Sequence, residues 1–156
     1  MPLRALLLLA LVGCDGSPCG ESDALVTRVI DGDTIELSTG IKIRYLLVDT
    51  PEISGSTPDC YGPNAAQFNT DLVLNKMVQL SYDVQCTDMY GRTLAYVFVD
   101  GREVNTEIIL RGYGCVLQIP PNGESRVEEF RSLQLDAKNA MRGLWGACSP
   151  LPPACT

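Results

Sequence analysis

Hydrophobic and polar positions alternate through "IKIRY", where Ile41, Ile43 and Tyr45 are separated by Lys42 and Arg44. That period of two marks a half-buried β-strand. The apolar run Leu46-Leu47-Val48 continues it, so a strand is expected over 41–48, ending in Asp49-Thr50-Pro51-Glu52. Upstream, "ALVTRVI" (24–30) and "IEL" (35–37) read as two more strands, joined by "DGDT" and "STG" turns. Downstream, "MVQLSYDV" (77–84) and "TLAYVFVD" (93–100) are strand-like.

The period changes to helical in three places. "GPNAAQFNTDLVLNK" carries Pro63 at a first helical position and an apolar side made by Ala66, Phe68 and Leu72 to Leu74. Asn105 is placed as the N-cap of a short helix through Leu110, with Gly112 as its stop. Ser125-x-x-Glu128 has the form of a capping box. It precedes an apolar stripe of Val127, Phe130, Leu133, Ala137, Ala140 and Met141, with Gly143 ending the helix. The stripe reads as core. Five strands with a helix after the third, and helices at the end, give an α+β chain with a five-stranded OB-fold β-barrel and about three helices.

The first residues follow neither pattern. "MPLRALLLLALVGC" has one arginine, an apolar run from Ala5 to Val12, then Gly13 and Cys14. Eight apolar residues are too few to cross a bilayer, which takes roughly 20 as a helix. The segment reads as an export signal, and Leu11-Val12-Gly13-Cys14 resembles a bacterial lipobox, whose cysteine carries lipid. Plain secretion and a buried first helix are the alternatives. The expected organisation is a signal peptide with its lipobox cysteine over 1–14, a linker over 15–23, the OB-fold domain over 24–146 and a Cys/Pro-rich tail over 147–156. The expected location is the cell envelope, lipid-anchored to a membrane through Cys14, or otherwise secreted or periplasmic; a monomer is expected.

Cysteine parity agrees with export. Of seven cysteines, lipid on Cys14 would leave six: Cys19, Cys60, Cys86, Cys115, Cys148 and Cys155. That number suits three disulfides in an oxidising compartment. Cys60, Cys86 and Cys115 lie within the domain and the others in its flanks, so full oxidation requires at least one bridge between flank and domain. A zinc site is disfavoured, because no CxxC pair and no histidine accompanies them.

Charge and composition narrow the chemistry. Without residues 1–14 the chain keeps 11 basic against 19 acidic side chains, a net of −8. Electrostatic binders of nucleic acid are usually basic. The absence of histidine excludes Ser-His-Asp hydrolases and histidine-dependent nucleases. A hydrolase built from this chain would use a carboxylate as base and oxygen ligands for any metal.

Asp33 in the first hairpin turn, and Asp49 and Glu52 past the third strand, are the acidic groups able to converge. Taken alone, Asp49 to Glu52 is an ordinary polar turn after a strand. Thr50, pushed extended by Pro51, can present its carbonyl as a further oxygen ligand, and such a set suits Ca2+. Arg44 and Arg92 offer forks for phosphate oxygens.

With these residues in view, "RVIDGDTI", "IRYLLVDTPE", "YGPNAAQF", "DMYGRTLAYV", "VNTEIILRGYG" and "GLW" together resemble the staphylococcal (micrococcal) nuclease family, in order over Val26 to Trp145. The resemblance implies a calcium-dependent phosphodiesterase on an OB-fold, cutting DNA and RNA. By it, Asp33, Asp49 and the Thr50 carbonyl look like metal ligands. Glu52 looks like the base acting on the attacking water, and Arg44 and Arg92 like the pair holding the scissile phosphate. Tyr90 is similar to a family tyrosine beside the nucleotide's terminal phosphate, and Lys42, beside Arg44, is a candidate substrate contact. The chain also departs from the family. Met89 stands where the archetype has lysine, its two stacking tyrosines fall near Gln118 and Pro120 with Tyr113 out of register, and "ISGSTPDC" lacks lysine. The grip on nucleic acid is thinned while the catalytic set is kept. Two competing readings are a non-catalytic nucleic-acid-binding or structural OB-fold lipoprotein, and a phosphodiesterase for small or non-nucleic substrates.

Overall fold

In the computed structural model, which describes residues 17–156, strands β1 (Asp23–Val29), β2 (Thr34–Leu37) and β3 (Lys42–Tyr45) form an antiparallel meander. A register irregularity between Val26 and Arg28 lets β1 serve two partners. Its second half pairs with β2, and Asp23 to Leu25 pair with β4 (Met77–Ser81). β4 then pairs antiparallel with β5 (Thr93–Val99), and β5 runs parallel to β3, with Ile43 opposite Thr93. That last pairing closes a five-stranded barrel. A two-residue strand, β6 (Arg102–Glu103), extends β5. Alternation fills the interior with Val26, Ile35, Ile43, Val78, Ala95 and Val97, each no more than 1% exposed.

Helix α1 (Gly62–Val73) follows β3 and carries proline in its first turn. Helix α2 (Val104–Leu110) buries Ile108 and Ile109 against the barrel, and α3 (Val127–Asn139) adds Phe130 to the same core. A short α4 (Leu144–Ala147) and a 3-10 turn (Pro153–Cys155) finish the chain. Leu144, Trp145, Ala137, Cys115 and Cys148 form a second, smaller cluster there.

Four local expectations are corrected. The third strand ends at Tyr45, not Val48, because Leu47 takes a left-handed φ of 61° and turns the chain inward. Leu46, Leu47 and Val48 are all buried after that bend. Asn105 is not the N-cap of α2; Glu103 is. Fully buried inside the helix, Asn105 instead accepts from the Val97 N–H (2.9 Å) and donates to the carbonyls of Leu46 (2.9 Å) and Ala95 (3.3 Å). It thereby fastens α2 to the bend below the site. The Ser125–Glu128 capping box does not form. Arg126 is the N-cap without a side-chain bond, and the Arg126 and Val127 N–H groups donate to the Gly123 carbonyl. Finally, α3 stops at Asn139, ahead of Gly143, and Ala140 and Met141 of the supposed stripe face solvent, Met141 with a φ of 50°.

Disulfides join Cys19 to Cys86, Cys60 to Cys148 and Cys115 to Cys155. Every bridge ties one flanking cysteine to one domain cysteine, three times what parity required. Each such cross-link in a small domain contributes about 2–4 kcal/mol, chiefly by restricting the unfolded chain. Arg4, Cys14 and the rest of the expected signal and lipobox lie outside the described residues. Among the described residues no helix is long and apolar enough to cross a membrane.

Candidate active site

The bend after β3 and the turn before β2 meet over Asp33. An Asx turn sets that turn up, the Asp31 carboxylate accepting the Asp33 N–H at 3.0 Å. Asp33 itself is only 4% exposed. Its Oδ2 accepts from both the Thr50 N–H (2.8 Å) and the Thr50 hydroxyl (2.9 Å), and its Oδ1 from the Thr34 hydroxyl (3.0 Å). Asp49 is pinned from the other side by two backbone bonds with Cys115, both 2.8 Å.

Arg44 lies between these carboxylates. Its Nη1 approaches Asp33 Oδ1 at 3.1 Å and donates to the Val48 carbonyl at 2.6 Å, while its Nη2 donates to Asp49 Oδ1 at 2.7 Å. Charged hydrogen bonds of this kind, in a side chain mostly shielded from water, hold the guanidinium in one orientation. Burial pushes the Asp49 carboxyl up to about 6; Arg44 counters it, and Asp33 and Glu52 add to it. Burial, then the charge of Asp33, likewise raises Asp31 to about 6. One guanidinium thus faces two carboxylates directly, Asp33 and Asp49, with Glu52 and Asp31 adding acidic charge nearby.

Glu52 is exposed and is placed by its backbone. Its carbonyl accepts the Asp59 N–H (2.9 Å), its N–H donates to Asp59 Oδ2 (3.2 Å), and its carboxylate takes the Ser54 hydroxyl (3.2 Å). Among the described residues no three acidic or cysteine side chains sit close enough to hold a metal by themselves. Carboxylates facing one another without a cation repel, and Arg44 occupies the gap between Asp33 and Asp49. The donor set is nevertheless all oxygen, and the surplus negative charge fits a hard cation. Asp33 and Asp49, on either side of Arg44, are carboxylates that could contribute to such a set.

Arg92 arrives from another direction. Asp88 organises the turn before β5: its Oδ1 accepts the Tyr90 and Arg92 N–H groups (2.9 and 3.0 Å), and its Oδ2 accepts Arg92 Nε at 2.7 Å. Burial opposes ionisation of Asp88, but the bonds from Arg92 and Tyr90 outweigh it and lower its pKa. The turn closes through Gly91, at φ 76°, a conformation that suits glycine. Because Nε is the atom engaged, the terminal nitrogens of Arg92 remain directed elsewhere.

Arg44 and Arg92 line the same cavity of about 330 Å³. Its floor is Leu46 to Val48 and Leu94, and Met89, Tyr90, Leu117 and Ile119 form its wall. Met89 and Tyr90 are 87% and 75% exposed. Of the predicted contacts, Tyr90 therefore lies at the mouth, within cation–π distance of Arg92 (5.4 Å). Lys42 is exposed on β3 and takes no part in the network. Sequence reasoning passed over Asp31 and Asp88. Both carry the Asx-turn signal, an aspartate ahead of a glycine, that could have found them. It also missed Asn122, which is buried and holds Gln85 in the cavity wall by two backbone bonds of 2.8 and 2.9 Å.

Comparison with known proteins gives the chain's relatives. The family profile described as "Staphylococcal nuclease homologue" matches residues 42–147. The chain is 37% identical over 131 residues to a thermonuclease of Staphylococcus intermedius, covering 81% of this chain and 77% of that protein. It is 37% identical over 124 residues to endonuclease YncB of Bacillus subtilis (strain 168), covering 76% and 59%. With the SPbeta prophage-derived endonuclease YokF of the same organism it shares 33% over 129 residues, covering 79% and 44%. The chain thus spans about half the length of the two Bacillus relatives.

Proposed function

The chain belongs to the staphylococcal nuclease family, and from that premise we propose that it is a calcium-dependent phosphodiesterase acting as an endonuclease on DNA, RNA or both. The observation that carries this reading is the meeting of Arg44, from β3, and Arg92, from the turn before β5, in one cavity beside the Asp33–Thr50–Asp49 network. Hydrolysis of a diester builds negative charge on the phosphoryl oxygens, so preplaced cations lower the barrier. Calcium held by Asp33, Asp49 and the Thr50 carbonyl would supply part of that charge.

The chain's own residues supply the rest. Arg92 presents its terminal nitrogens to the phosphate while Asp88 fixes its Nε. Arg44, whose terminal nitrogens are held by Asp33, Asp49 and the Val48 carbonyl, contributes its fixed positive charge from the floor. Glu52, next to Asp49 and open to solvent, orients the attacking water and accepts its proton. The bond from phosphorus to the leaving oxygen breaks as the water oxygen adds, and solvent protonates the leaving oxygen, since guanidinium does not readily give up a proton.

The cavity's apolar wall favours a second reading, a phosphodiesterase for short or non-nucleic substrates. Export with a lipid on Cys14 belongs to the same proposal, supported by the three disulfides, which suit an oxidising compartment. The deciding experiment is cleavage of plasmid, single strands, RNA and a dinucleotide by the purified mature protein. Turnover with calcium that stops on chelation is expected. Full activity in chelator would remove the calcium mechanism, absence of turnover on every diester would leave the binding-protein reading in front, and cleavage of the dinucleotide alone would favour the small-substrate one.

A further inference from the structure

We propose that a second surface, formed by Tyr61, Tyr113, Arg111 and Arg142, binds the nucleotides of a single strand on the side of the scissile phosphate away from the apolar cavity; this rests on the nuclease reading. The surface lines a cavity of about 520 Å³, bordered also by Leu110 and Gly143, which shares no residue with the apolar cavity of Arg44 and Arg92.

Its composition is that of a single-strand platform, aromatic faces beside positive charge. Tyr61 and Tyr113 lie 5.4 Å apart, tilted by 33°, and Tyr113 is backed by Phe68, stacked at 4.0 Å. Arg142 is exposed, and its recorded bond is from Nη1 to the Leu110 carbonyl at 3.1 Å, with no carboxylate partner among the described residues. Arg111 engages Glu107 through Nε at 2.7 Å, which leaves its outer edge open. In a chain of net charge −7 an arginine without a carboxylate partner is a scarce resource.

The fold brings these groups together by a close backbone approach. Gly112 and Gly143 both have positive φ, 74° and 55°, and the Leu144 N–H donates to the Gly112 carbonyl at 2.8 Å. A Cβ on either glycine would strike a carbonyl of the facing segment, Arg142 or Gly112, so this close approach, which sets Arg111 and Arg142 on one cavity, requires glycine at both positions. The Cys60–Cys148 disulfide fixes Tyr61 from the opposite side.

The platform abuts the catalytic segment. Gly62, next to Tyr61, packs on the Glu52 carbonyl, and Gly114, next to Tyr113, packs on the Asp49 carbonyl and Thr50. The segment from Val48 to Glu52 thus has one cavity at each end. A strand whose phosphate sits between Arg44 and Arg92 would leave the apolar cavity and pass over Glu52 onto Tyr61. The platform offsets the grip lost at Met89 and in the lysine-free loop.

The test measures binding of a 20-residue oligothymidylate by fluorescence anisotropy, in calcium, with the full mature chain carrying Glu52→Gln to prevent cutting. Adding Arg142→Ser should raise Kd about ten-fold and flatten the slope of log affinity against log salt by about 0.7. Arg142→Lys should restore most of the affinity. Tyr61→Leu should raise Kd about ten-fold with the salt slope kept, because stacking is uncharged. Arg131→Ser, on the far face of α3, should change nothing. In the Glu52 background, the 20-mer should lose more affinity than a dinucleotide does. Kd within two-fold for Arg142→Ser overturns the proposal, and so does failure of the Glu52→Gln protein to bind the 20-mer. If Tyr61→Leu does not fold, Arg142→Ser decides alone. A wild-type chain that binds the 20-mer in the pattern above but cuts no diester refutes the nuclease reading and leaves the platform standing.

Discussion

Arg44 and Arg92 face one cavity, but the regions that carry them are built differently. Arg44 sits on the barrel floor with only 12% of its side chain exposed, held by two carboxylates and a carbonyl. Arg92 stands on a surface turn, 30% exposed, and depends on Asp88. The floor is over-determined, since Asp33, Thr50, Asp49 and Cys115 would each hold part of it if one bond were lost. Backbone bonds close the turn, but the Arg92 side chain is held by one carboxylate, which takes three hydrogen bonds in all. Fixed charge near a reacting phosphate is most effective where it needs no rearrangement. The floor thus supplies a permanent field, and the turn supplies a donor that can adjust to the substrate.

That contrast can be broken by substitution. Arg92→Lys keeps the charge and removes the fork, so turnover should fall about 10²–10³-fold with little change in melting temperature. Arg44→Lys should lose comparable turnover and also destabilise the calcium-free protein by about 1.5–3 kcal/mol, because buried carboxylates lose their donors. Steady-state kinetics and thermal melts on both proteins check the pair. Equal stability losses at the two positions would erase the distinction between floor and turn.

Asp88→Asn should give a smaller effect. It keeps the shape and two acceptor contacts but loses the ion pair to Arg92. A drop of about ten-fold in kcat is expected, close to the loss of one charged hydrogen bond. KM should stay within a factor of two or three, and melting should be nearly unchanged. A fall in KM affinity without loss of kcat would show that Asp88 supports substrate binding rather than the orientation of Arg92.

Met89→Lys should have the smallest effect and the opposite sign. Met89 is 87% exposed at the cavity mouth, so a lysine there costs no burial. Affinity for a single strand should improve a few-fold, and the salt slope should steepen by about 0.7 for one added phosphate contact. No change at any salt concentration would mean that the strand does not pass the mouth of this cavity.

Much of the barrel was legible because its signals are local. Alternation along Lys42 to Tyr45, the Asp-Gly turn at 31–34 and the proline at the start of α1 all act within a few residues, and each appears in the structure, although Ile41, counted into the alternation, stays exposed ahead of the strand. The barrel was expected from the order of elements, and the structure closes it by the parallel pairing of β3 with β5. The errors fell where a side chain found a distant partner. Asn105 has the chemistry of an N-cap, but bonds to Val97, Leu46 and Ala95 outcompeted that local role. Leu46 to Val48 have strand propensity, yet burying all three required a bend at Leu47.

The sequence by itself determined the inventory: no histidine, an oxygen-only ligand set, two arginines in turn and strand contexts, and six cysteines whose parity forces a bridge between flank and domain. Tertiary structure decided the pairings. It alone set which cysteines join, that Arg44 stands between Asp33 and Asp49, that Asp88 steers Arg92, and that Gly112 and Gly143 bring Arg111 to Arg142. The physical reason is range. Periodicity and turn chemistry are written within a few residues. Charge balance and close approach depend on distances between segments far apart in the chain, which exist only once the barrel has closed.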